Sequence, residues 1–291
     1  MNRILVPLDE SPASEAIVRV AEALARAHGA ELILLRAVRP AAGPGSAALG
    51  SDVDPVAEAA SYLKRLSETL RAGGLARVRW DVRRGAAEQA ITTAAARERV
   101  DLIAMTTHGR GGIGRLLLGS VAESVVRSAP APVLLIRGRL SSSPGTITKI
   151  LVPLDGSNLS AEILPIVERL AGPFDLTIAL LHAVEPMPTS AVAGVSSRRE
   201  EMIAFRQEEA ERYLSKVASA LEEKGLRVRH AVRAGQAVDV IQQYAGEEGI
   251  GLIAMTTHGR TGLGRLFFGS VAERVLRAAP VPVLVWKARE E

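Results

Sequence analysis

Residues 104–123 read AMTTHGRGGIGRLLLGSVAE and residues 254–273 read AMTTHGRTGLGRLFFGSVAE, so sixteen of the twenty positions are identical. A second matching pair lies upstream, with ILVPLDES at 4–11 and ILVPLDGS at 150–157. The copies are offset by 150 residues in the first pair and by 146 in the second. Such a period indicates a domain duplication, because solenoid repeats recur every ~20–50 residues. The chain therefore contains two copies of one unit, and each copy is expected to carry its own binding site.

Composition narrows the class of protein. The 291 residues suit two domains of ordinary size. Lys and Arg number 36 against 32 Asp and Glu, a net charge of +4, with no basic tract typical of a nucleic-acid-binding arm. The absence of cysteine excludes disulfides, thiolate metal sites and cysteine nucleophiles. A strand follows Met1 directly and no apolar run reaches membrane-spanning length, so we expect a cytoplasmic protein with neither nucleic acid nor membrane as a partner.

Each half alternates short apolar strands with helical periodicity. In the first half, the predicted strands are 4–9, 31–38, 76–82, 101–105 and 132–137, and the predicted helices are 12–28, 54–72, 86–98 and 120–129. In the second half, the predicted strands are 149–155, 175–184, 226–232, 251–255 and 282–287, and the predicted helices are 159–170, 198–224, 236–247 and 270–279. Continuous apolar strands are typical of a parallel sheet covered on both faces. The sequence therefore predicts two tandem doubly wound α/β domains with five parallel strands each, at 1–140 and 148–291.

Three stretches rich in Ser, Gly, Pro or Ala interrupt this pattern. Residues 138–148 are predicted to link the two domains. Residues 39–53 and 185–197 follow the second strand of their unit and are long for a connection between a strand and a helix. Each of these two loops is predicted to be a lid or a mobile loop.

A phosphate site is predicted beyond the carboxyl ends of the strands, where ligands of open parallel sheets bind. Asp9 and Asp155 close the first strand of each unit, and the glycine-rich loop follows the fourth. Glycines let main-chain N–H groups face a ligand, and the loop ends at a helix N-terminus, which favours anions. The loop glycines are Gly109, Gly112, Gly114 and Gly119, with Gly259, Gly262, Gly264 and Gly269, and the loop arginines that can neutralise phosphate are Arg110, Arg115, Arg260 and Arg265.

The serines at the ends of these loops have a structural interpretation as well. Ser120 and Glu123, like Ser270 and Glu273, have the spacing of a capping box. Both serines are therefore predicted to cap their helices. Capping is compatible with phosphate binding, because a capping serine can still direct its N–H toward an anion.

Other candidate residues also have structural alternatives. Asp9 can simply end its strand and lead into Ser11 and Pro12, which suit the start of a helix. His108 and His258 have no obvious second metal ligand in their units, so we expect each to pack on the ligand or on the strand end. The four loop arginines can equally be solvated.

At these residues the chain resembles the universal stress protein family in its tandem-domain form. The strand ends DES at 9–11 and DGS at 155–157 are similar to the family's first-strand motif. The family's nucleotide loop, Gly-x2-Gly-x9-Gly-Ser/Thr, is matched from its second glycine onward over 109–120 and 259–270. The resemblance covers almost the whole chain. It implies an adenine nucleotide α-hydrolase-like fold with strand order 3-2-1-4-5, cytosolic stress adaptation, and pairing of units through their last strands.

The resemblance also implies binding of ATP, with or without Mg²⁺. The aspartate after the first strand would contact the ribose or a phosphate-bound Mg²⁺, and the valine at the end of the second strand would pack on adenine. Residues from the fourth strand to the next helix would bind ribose and phosphates. The implied binding residues are Pro7, Leu8, Asp9, Val38, Met105, Thr106, His108, Gly109, Arg110, Gly119, Ser120 and Val121, with Pro153, Leu154, Asp155, Val184, Met255, Thr256, His258, Gly259, Arg260, Gly269, Ser270 and Val271.

The chain departs from the family loop at its first glycine, where Thr106 and Thr256 stand. A threonine side chain can block the close approach of a phosphate to the backbone, or it can add a hydroxyl contact. The intact later glycines favour a non-enzymatic stress-response regulator that binds ATP at two sites. The threonines favour a nucleotide-free stress protein that acts through protein–protein interaction. A slow ATPase is the third possibility, although no dedicated general base is evident beyond the aspartates.

Duplication has consequences for assembly and affinity. Fusion supplies the pairing of two units, so a pseudo-dimeric chain is expected, as a monomer or a homodimer, with unidentified protein partners. The halves differ at Gly111 and Thr261, and at residues 117–118 and 267–268, where Leu-Leu is replaced by Phe-Phe. These differences predict unequal affinity at the two sites.

Overall fold

The computed structural model describes residues 1–39, 54–107, 118–137, 147–172, 174, 176–186, 196–257 and 268–288. The chain divides into two compact units, Met1–Pro144 and Gly145–Glu291. Most of the predicted linker at 138–148 and most of the two predicted lid loops at 39–53 and 185–197 lie outside the described residues. No helix in the described part of the chain is both long enough and apolar enough to cross a membrane.

The first unit is a doubly wound α/β domain. Its strands are β1 (Arg3–Pro7), β2 (Glu31–Val38), β3 (Val78–Arg84), β4 (Leu102–Thr106) and β5 (Val133–Ile136), and its helices are α1 (Pro12–His28), α2 (Pro55–Ala72), α3 (Ala87–Arg97) and α4 (Ser120–Ser128). The strands lie in the order β3-β2-β1-β4-β5, and neighbours pair in parallel. The predicted fold class and strand order are confirmed. The order reverses between β1 and β4, which places the switch point beyond the ends of those two strands.

The second unit repeats this arrangement. Its strands are β6 (Lys149–Pro153), β7 (Thr177–Val184), β8 (Arg227–Ala234), β9 (Leu252–Thr256) and β10 (Val283–Trp286), and its helices are α5 (Asn158–Ala161), α6 (Leu164–Ala171), α7 (Ser196–Glu222), α8 (Ala237–Glu247) and α9 (Ser270–Ala278). The strands lie in the order β8-β7-β6-β9-β10 and all pair in parallel. Strands β6 and β9 therefore flank the switch point of the second unit.

Aliphatic side chains bury the central strands. The middle of β1, Ile4 to Val6, is fully buried, and every residue of β4 is buried. Helix α1 covers the sheet with a stripe of buried residues at helical spacing, including Ile17, Ala21 and Leu24. The carboxyl ends of β1 and β4 are thus held by a packed core, which fixes the residues that follow them.

The predicted helix at 159–170 is wrong in one respect, because it is two helices. Helix α5 ends at Ala161 and α6 begins at Leu164. Pro165 lies in the first turn of α6. A proline ring inside a continuous helix clashes with the carbonyl four residues earlier, here that of Ala161, so the helix ends there and restarts.

The third strand of each unit extends two residues beyond its predicted end and stops at a glycine. Gly85 has φ 129° and donates its N–H to the Val38 carbonyl at 2.9 Å. Gly235 has φ 146° and donates to the Val184 carbonyl at 3.0 Å. These positive φ values favour glycine. The turn brings the start of α3 or α8 next to the end of the second strand.

Tyr62 on α2 joins α1 through a hydrogen bond that makes stability depend on pH. Its hydroxyl donates to Glu15 Oε1 at 2.9 Å. Burial and then this hydrogen bond raise the pKa of Tyr62 above its usual value. The native state therefore retains a proton that the unfolded chain releases, so this contribution to stability is lost as the pH rises above about 10.

Replacing Tyr62 with phenylalanine is expected to remove this loss of stability at alkaline pH. At pH 8 the variant should be less stable by about 1 kcal/mol, because the hydrogen bond is gone. Between roughly pH 10 and 11 its free energy of unfolding should fall less steeply than that of the wild type. Urea unfolding across this range measures both slopes, and equal slopes would contradict the assignment.

Candidate functional site

Each unit has a cavity at the carboxyl ends of its central strands. The cavity of the first unit has a volume of about 750 Å³. The cavity of the second unit has a volume of about 300 Å³. Both are formed by the residues that follow the first and fourth strands of the unit, together with the end of the second strand and the start of two helices. The predicted switch-point location thus coincides with a cavity in both units.

Most of the predicted site residues that the structure describes line these cavities. In the first unit they are Pro7, Leu8, Asp9, Val38, Met105, Thr106, Gly119, Ser120 and Val121. In the second unit they are Pro153, Leu154, Asp155, Met255, Thr256, Gly269, Ser270 and Val271. Val184 is different, because it is buried in its unit while its neighbours Ala183 and Glu185 line the cavity.

The middle of each glycine-rich loop, 108–117 and 258–267, lies outside the described residues. Six of the predicted site residues fall there, namely His108, Gly109, Arg110, His258, Gly259 and Arg260. The other loop glycines and arginines named above, apart from Gly119 and Gly269, fall there as well, and so do Gly111 and Thr261.

Asp9 organises the turn between β1 and α1. Its Oδ1 accepts hydrogen bonds from the Ser11 N–H at 3.1 Å and from the Ser11 hydroxyl at 2.6 Å. The Ser11 Oγ in turn accepts the Ser14 N–H at 3.0 Å, which caps α1. Asp9 therefore has the predicted structural role of ending its strand and leading into the start of α1. The aspartate also lines the cavity.

The second unit builds the same turn from a nearly identical sequence. Asp155 Oδ1 accepts from the Ser157 N–H at 3.0 Å and from the Ser157 hydroxyl at 2.6 Å. The Ser160 N–H donates to Ser157 Oγ at 3.1 Å. Because both units hold the carboxylate in one position with the same two donors, the aspartate is pre-positioned at the edge of each cavity.

The residue after each aspartate adopts the left-handed conformation. Glu10 has φ 67°, whereas the second unit has Gly156 with φ 82°. A side chain in this conformation costs about 1–2 kcal/mol. Glu10 adopts this conformation nonetheless, and its carboxylate forms an ion pair with Arg36, whose Nε lies 3.3 Å from Glu10 Oε1.

Gly156→Ala is therefore expected to destabilise the second unit by about 1 kcal/mol. Glu10→Ala is the matched control in the first unit, where a side chain already occupies the left-handed position. That substitution should cost less, about 0.5 kcal/mol, since only a partly exposed ion pair is lost. Chemical unfolding of both variants tests this, and a larger loss in Glu10→Ala would refute the conformational explanation.

Helix α4 begins one residue earlier than the capping-box spacing predicts, since that spacing makes Ser120 the N-cap. Its N-cap is Gly119, with extended φ −60° and ψ 145°, and Ser120 is the first helical residue. The Gly119 N–H donates to the Thr107 carbonyl at 2.8 Å, which holds the glycine at the helix boundary. The predicted capping role of Ser120 is therefore wrong. Ser270 is displaced in the same way, with Gly269 as the N-cap of α9 and its N–H bonded to Thr257 at 2.7 Å.

This boundary leaves the end of the helix open to the cavity. A glycine N-cap has no side chain that could accept the first-turn N–H groups. Ser120 and Val121, which carry two of these groups, line the cavity. The Gly119 N–H is already used, so the donors suited to an anion belong to the residues after it. The positive end of the helix dipole adds to their attraction for negative charge.

Thr106 and Thr256 are the last residues of β4 and β9. Their exposed fractions are 7% and 5%, yet both contribute to the cavity lining. Thr106 pairs with Ile136 in the register of the sheet, and Thr256 pairs with Trp286. The threonines that replace the family's first glycine thus belong to the strand ends.

Several lining residues are not among the predicted ones. They come from the end of the second strand of each unit, from α3 and the turn before it in the first unit, and from α7 and α8 in the second. They include Arg36, Arg39, Gly85, Ala87 and Ile91 in the first unit, and His182, Glu185, Arg206, Ala237 and Ile241 in the second. The parallel sheet brings these segments beside the first strand. Comparing the two halves at the 146-residue offset could have found two of the positions, because it aligns Arg36 with His182 and Arg39 with Glu185.

Comparisons with known proteins agree on one family. Residues 1–137 and 146–287 each match the universal stress protein family. A universal stress protein of Methanocaldococcus jannaschii is 35% identical over 140 residues, which cover 48% of this chain and 81% of the relative. A universal stress protein of Mycolicibacterium smegmatis is 23% identical over 295 residues, covering 98% and 97%.

Solved structures show the same fold over the whole chain. The crystal structure of a universal stress protein from Archaeoglobus fulgidus covers 98% of this chain, and 98% of that protein is matched. The TM-score is 0.69 at 21% sequence identity. With the family matched once in each half, the chain belongs to the universal stress protein family and is a tandem member of it.

Proposed function

We propose that the chain binds ATP at two sites, one in each unit, and acts as a nucleotide-dependent stress-response regulator, not as an enzyme. The observation that carries this proposal is the uncapped N-terminus of α4 and of α9 beside a fixed aspartate in a cavity. Uncapped first-turn N–H groups bind phosphate oxygens well. Finding this arrangement in both units supports two binding sites.

The residues present fit the parts of an adenine nucleotide. The N–H groups of Ser120 and Val121 suit the phosphates, and Asp9 suits a ribose hydroxyl or a phosphate-bound Mg²⁺. Apolar side chains such as Leu8 and Ile91 supply surface for the base. Both cavities fall within the range of about 300–1,000 Å³ that is usual for small-molecule sites.

A regulatory role is proposed because the cavity offers little for hydrolysis. Among the described residues that line the first cavity, Asp9 is the sole carboxylate. Its Oδ1 already accepts two hydrogen bonds from Ser11, so one of its two carboxylate oxygens holds the turn and does not serve as a base for a water nucleophile. We therefore expect slow turnover at most.

Equilibrium dialysis with radiolabelled ATP and Mg²⁺ tests the proposal. Saturable binding that approaches two nucleotides per chain is expected, together with negligible phosphate release during the measurement. Multiple-turnover phosphate release would contradict the non-enzymatic role. Absence of binding at millimolar ATP would contradict the nucleotide site itself.

The nearly buried threonines favour a second function, a nucleotide-free protein that acts through protein partners. If Thr106 and Thr256 obstruct the phosphates, Thr106→Gly and Thr256→Gly should create ATP binding that the wild type lacks. Under the ATP-binding proposal, the wild type binds already, and the glycine variants change its affinity without creating it.

A further inference from the structure

The two cavities differ in charge at matching positions at the end of the second strand. Strands β2 and β7 have the same offset as β1 and β6, so Arg36 corresponds to His182 and Arg39 to Glu185. Arg36 and Arg39 line the first cavity, and His182 and Glu185 line the second. Two cationic positions in the first unit are thus a histidine and a carboxylate in the second.

Glu185 also occupies a hydrogen-bond donor at the edge of its cavity. Its Oε1 accepts the N–H of Ala237, the first residue of α8, at 3.3 Å. Its main-chain carbonyl accepts Arg206 Nη1 from α7 at 3.2 Å. Glu185 therefore joins α7 to α8 across the end of β7. In the first unit the corresponding position is Arg39, which is exposed.

These contacts accompany a smaller and more negative cavity. The first cavity has two arginines and one carboxylate in its described lining, whereas the second has Asp155, Glu185 and a single arginine, Arg206. With His182 counted as neutral, the formal charge of the described lining residues is +1 in the first unit and −1 in the second. Glu10 forms an ion pair with Arg36. When its charge is counted as well, the first cavity has a formal charge of 0, which is still one unit more positive than that of the second. The volume falls from about 750 to about 300 Å³.

We propose that Glu185 is a specificity-determining residue that makes the second site weaker than the first for a nucleotide polyphosphate. Its carboxylate adds a negative charge to the lining of the second cavity, which disfavours a polyanionic ligand, and it occupies the Ala237 N–H. The chain then has one strong and one weak ATP site, and the weak site is the one in the second unit. This inference rests on the proposed ATP-binding function.

Titration calorimetry with Mg-ATP on the full chain tests the inference, using a reciprocal pair of variants. Wild-type protein should show two binding steps whose dissociation constants differ about tenfold or more, as expected for two unit charges near a protein surface. Glu185→Gln keeps an oxygen that can accept the Ala237 N–H and removes the charge. It should tighten the weak step by about fivefold and leave the strong step unchanged.

Arg39→Glu gives the first unit the charge of the second. It should weaken the strong step by about tenfold and leave the weak step unchanged. Glu168→Gln is the matched control, because Glu168 is a carboxylate of the second unit that pairs with Lys224 and does not line the cavity. It should change neither step.

A titration with adenosine separates charge from shape. If Glu185 acts through charge, Glu185→Gln should change adenosine binding much less than ATP binding. Two equal ATP sites in the wild type, or a weak step that Glu185→Gln does not tighten, would overturn the inference and leave the ATP-binding function standing. No ATP binding by the wild type would instead overturn the proposed function.

Discussion

Ser120→Pro is expected to weaken ATP binding at the first site by about 10- to 100-fold, the effect of losing one hydrogen bond to a charged phosphate. Ser120 is the first residue of α4, a position where proline is favoured because no intrahelical hydrogen bond is lost. Gly119 already has ψ 145°, the extended conformation required before a proline. The substitution therefore removes an N–H donor from the cavity without breaking the helix.

Two variants isolate the N–H from the rest of the serine. Ser120→Ala removes only the hydroxyl, and it should change the affinity at most about threefold, because the structure gives the hydroxyl no capping role. Ser270→Pro should affect only the second site. Calorimetric titration with Mg-ATP and a thermal melt are the measurements. Unchanged affinity in Ser120→Pro, with an unchanged melting temperature, would contradict phosphate binding at the end of α4.

Asp9→Ala is expected to lower the free energy of unfolding of the first unit by about 3 kcal/mol. The N–H and hydroxyl of Ser11, a residue that is only 8% exposed, both lose their acceptor, and leaving buried donors unsatisfied costs about 1–3 kcal/mol. Ser11 also caps α1, and loosening that cap costs about 1 kcal/mol more. Urea unfolding measures the change.

The control for this substitution is Asp9→Asn, which keeps an oxygen acceptor and removes the charge. It should retain most of the stability while weakening the interaction with the ribose or with phosphate-bound Mg²⁺. Asp155→Ala should destabilise the second unit by a similar amount, since its hydrogen bonds to Ser157 repeat those of the first unit. Equal stability of Asp9→Ala and wild type would show that the turn does not depend on the carboxylate.

The fold could be predicted because its signals are local or repeated. Buried strand segments such as 4–6 and 102–105 are continuous apolar runs, and the duplication fixes the period of the units. Apolar periodicity alone was insufficient where another local signal opposed it. The predicted helix at 159–170 is interrupted because the ring of Pro165 conflicts with the carbonyl of Ala161, a steric effect that apolar periodicity does not register.

The candidate site was predictable in its location and less so in its chemistry. The capping-box spacing placed Ser120 at the N-cap, but a hydrogen bond from Gly119 to Thr107, across the loop, sets the boundary at the glycine. Arg36 and Glu185 were missed because only the valine at the end of the second strand was predicted there, whereas the sheet brings the residues on both sides of that valine to the cavity as well. The left-handed turn at Glu10 could have been inferred from Gly156 at the matching position.

The most direct test of two ATP sites is to identify what the purified protein carries. The chain is purified without added nucleotide, denatured, and the released small molecules are quantified by chromatography and mass spectrometry, with Mg-ATP titration of any empty protein. The account predicts adenine nucleotide at one to two per chain after purification and two per chain at saturation, with the second unit filling last. Protein that releases no nucleotide and gives no binding heat with millimolar Mg-ATP would contradict it.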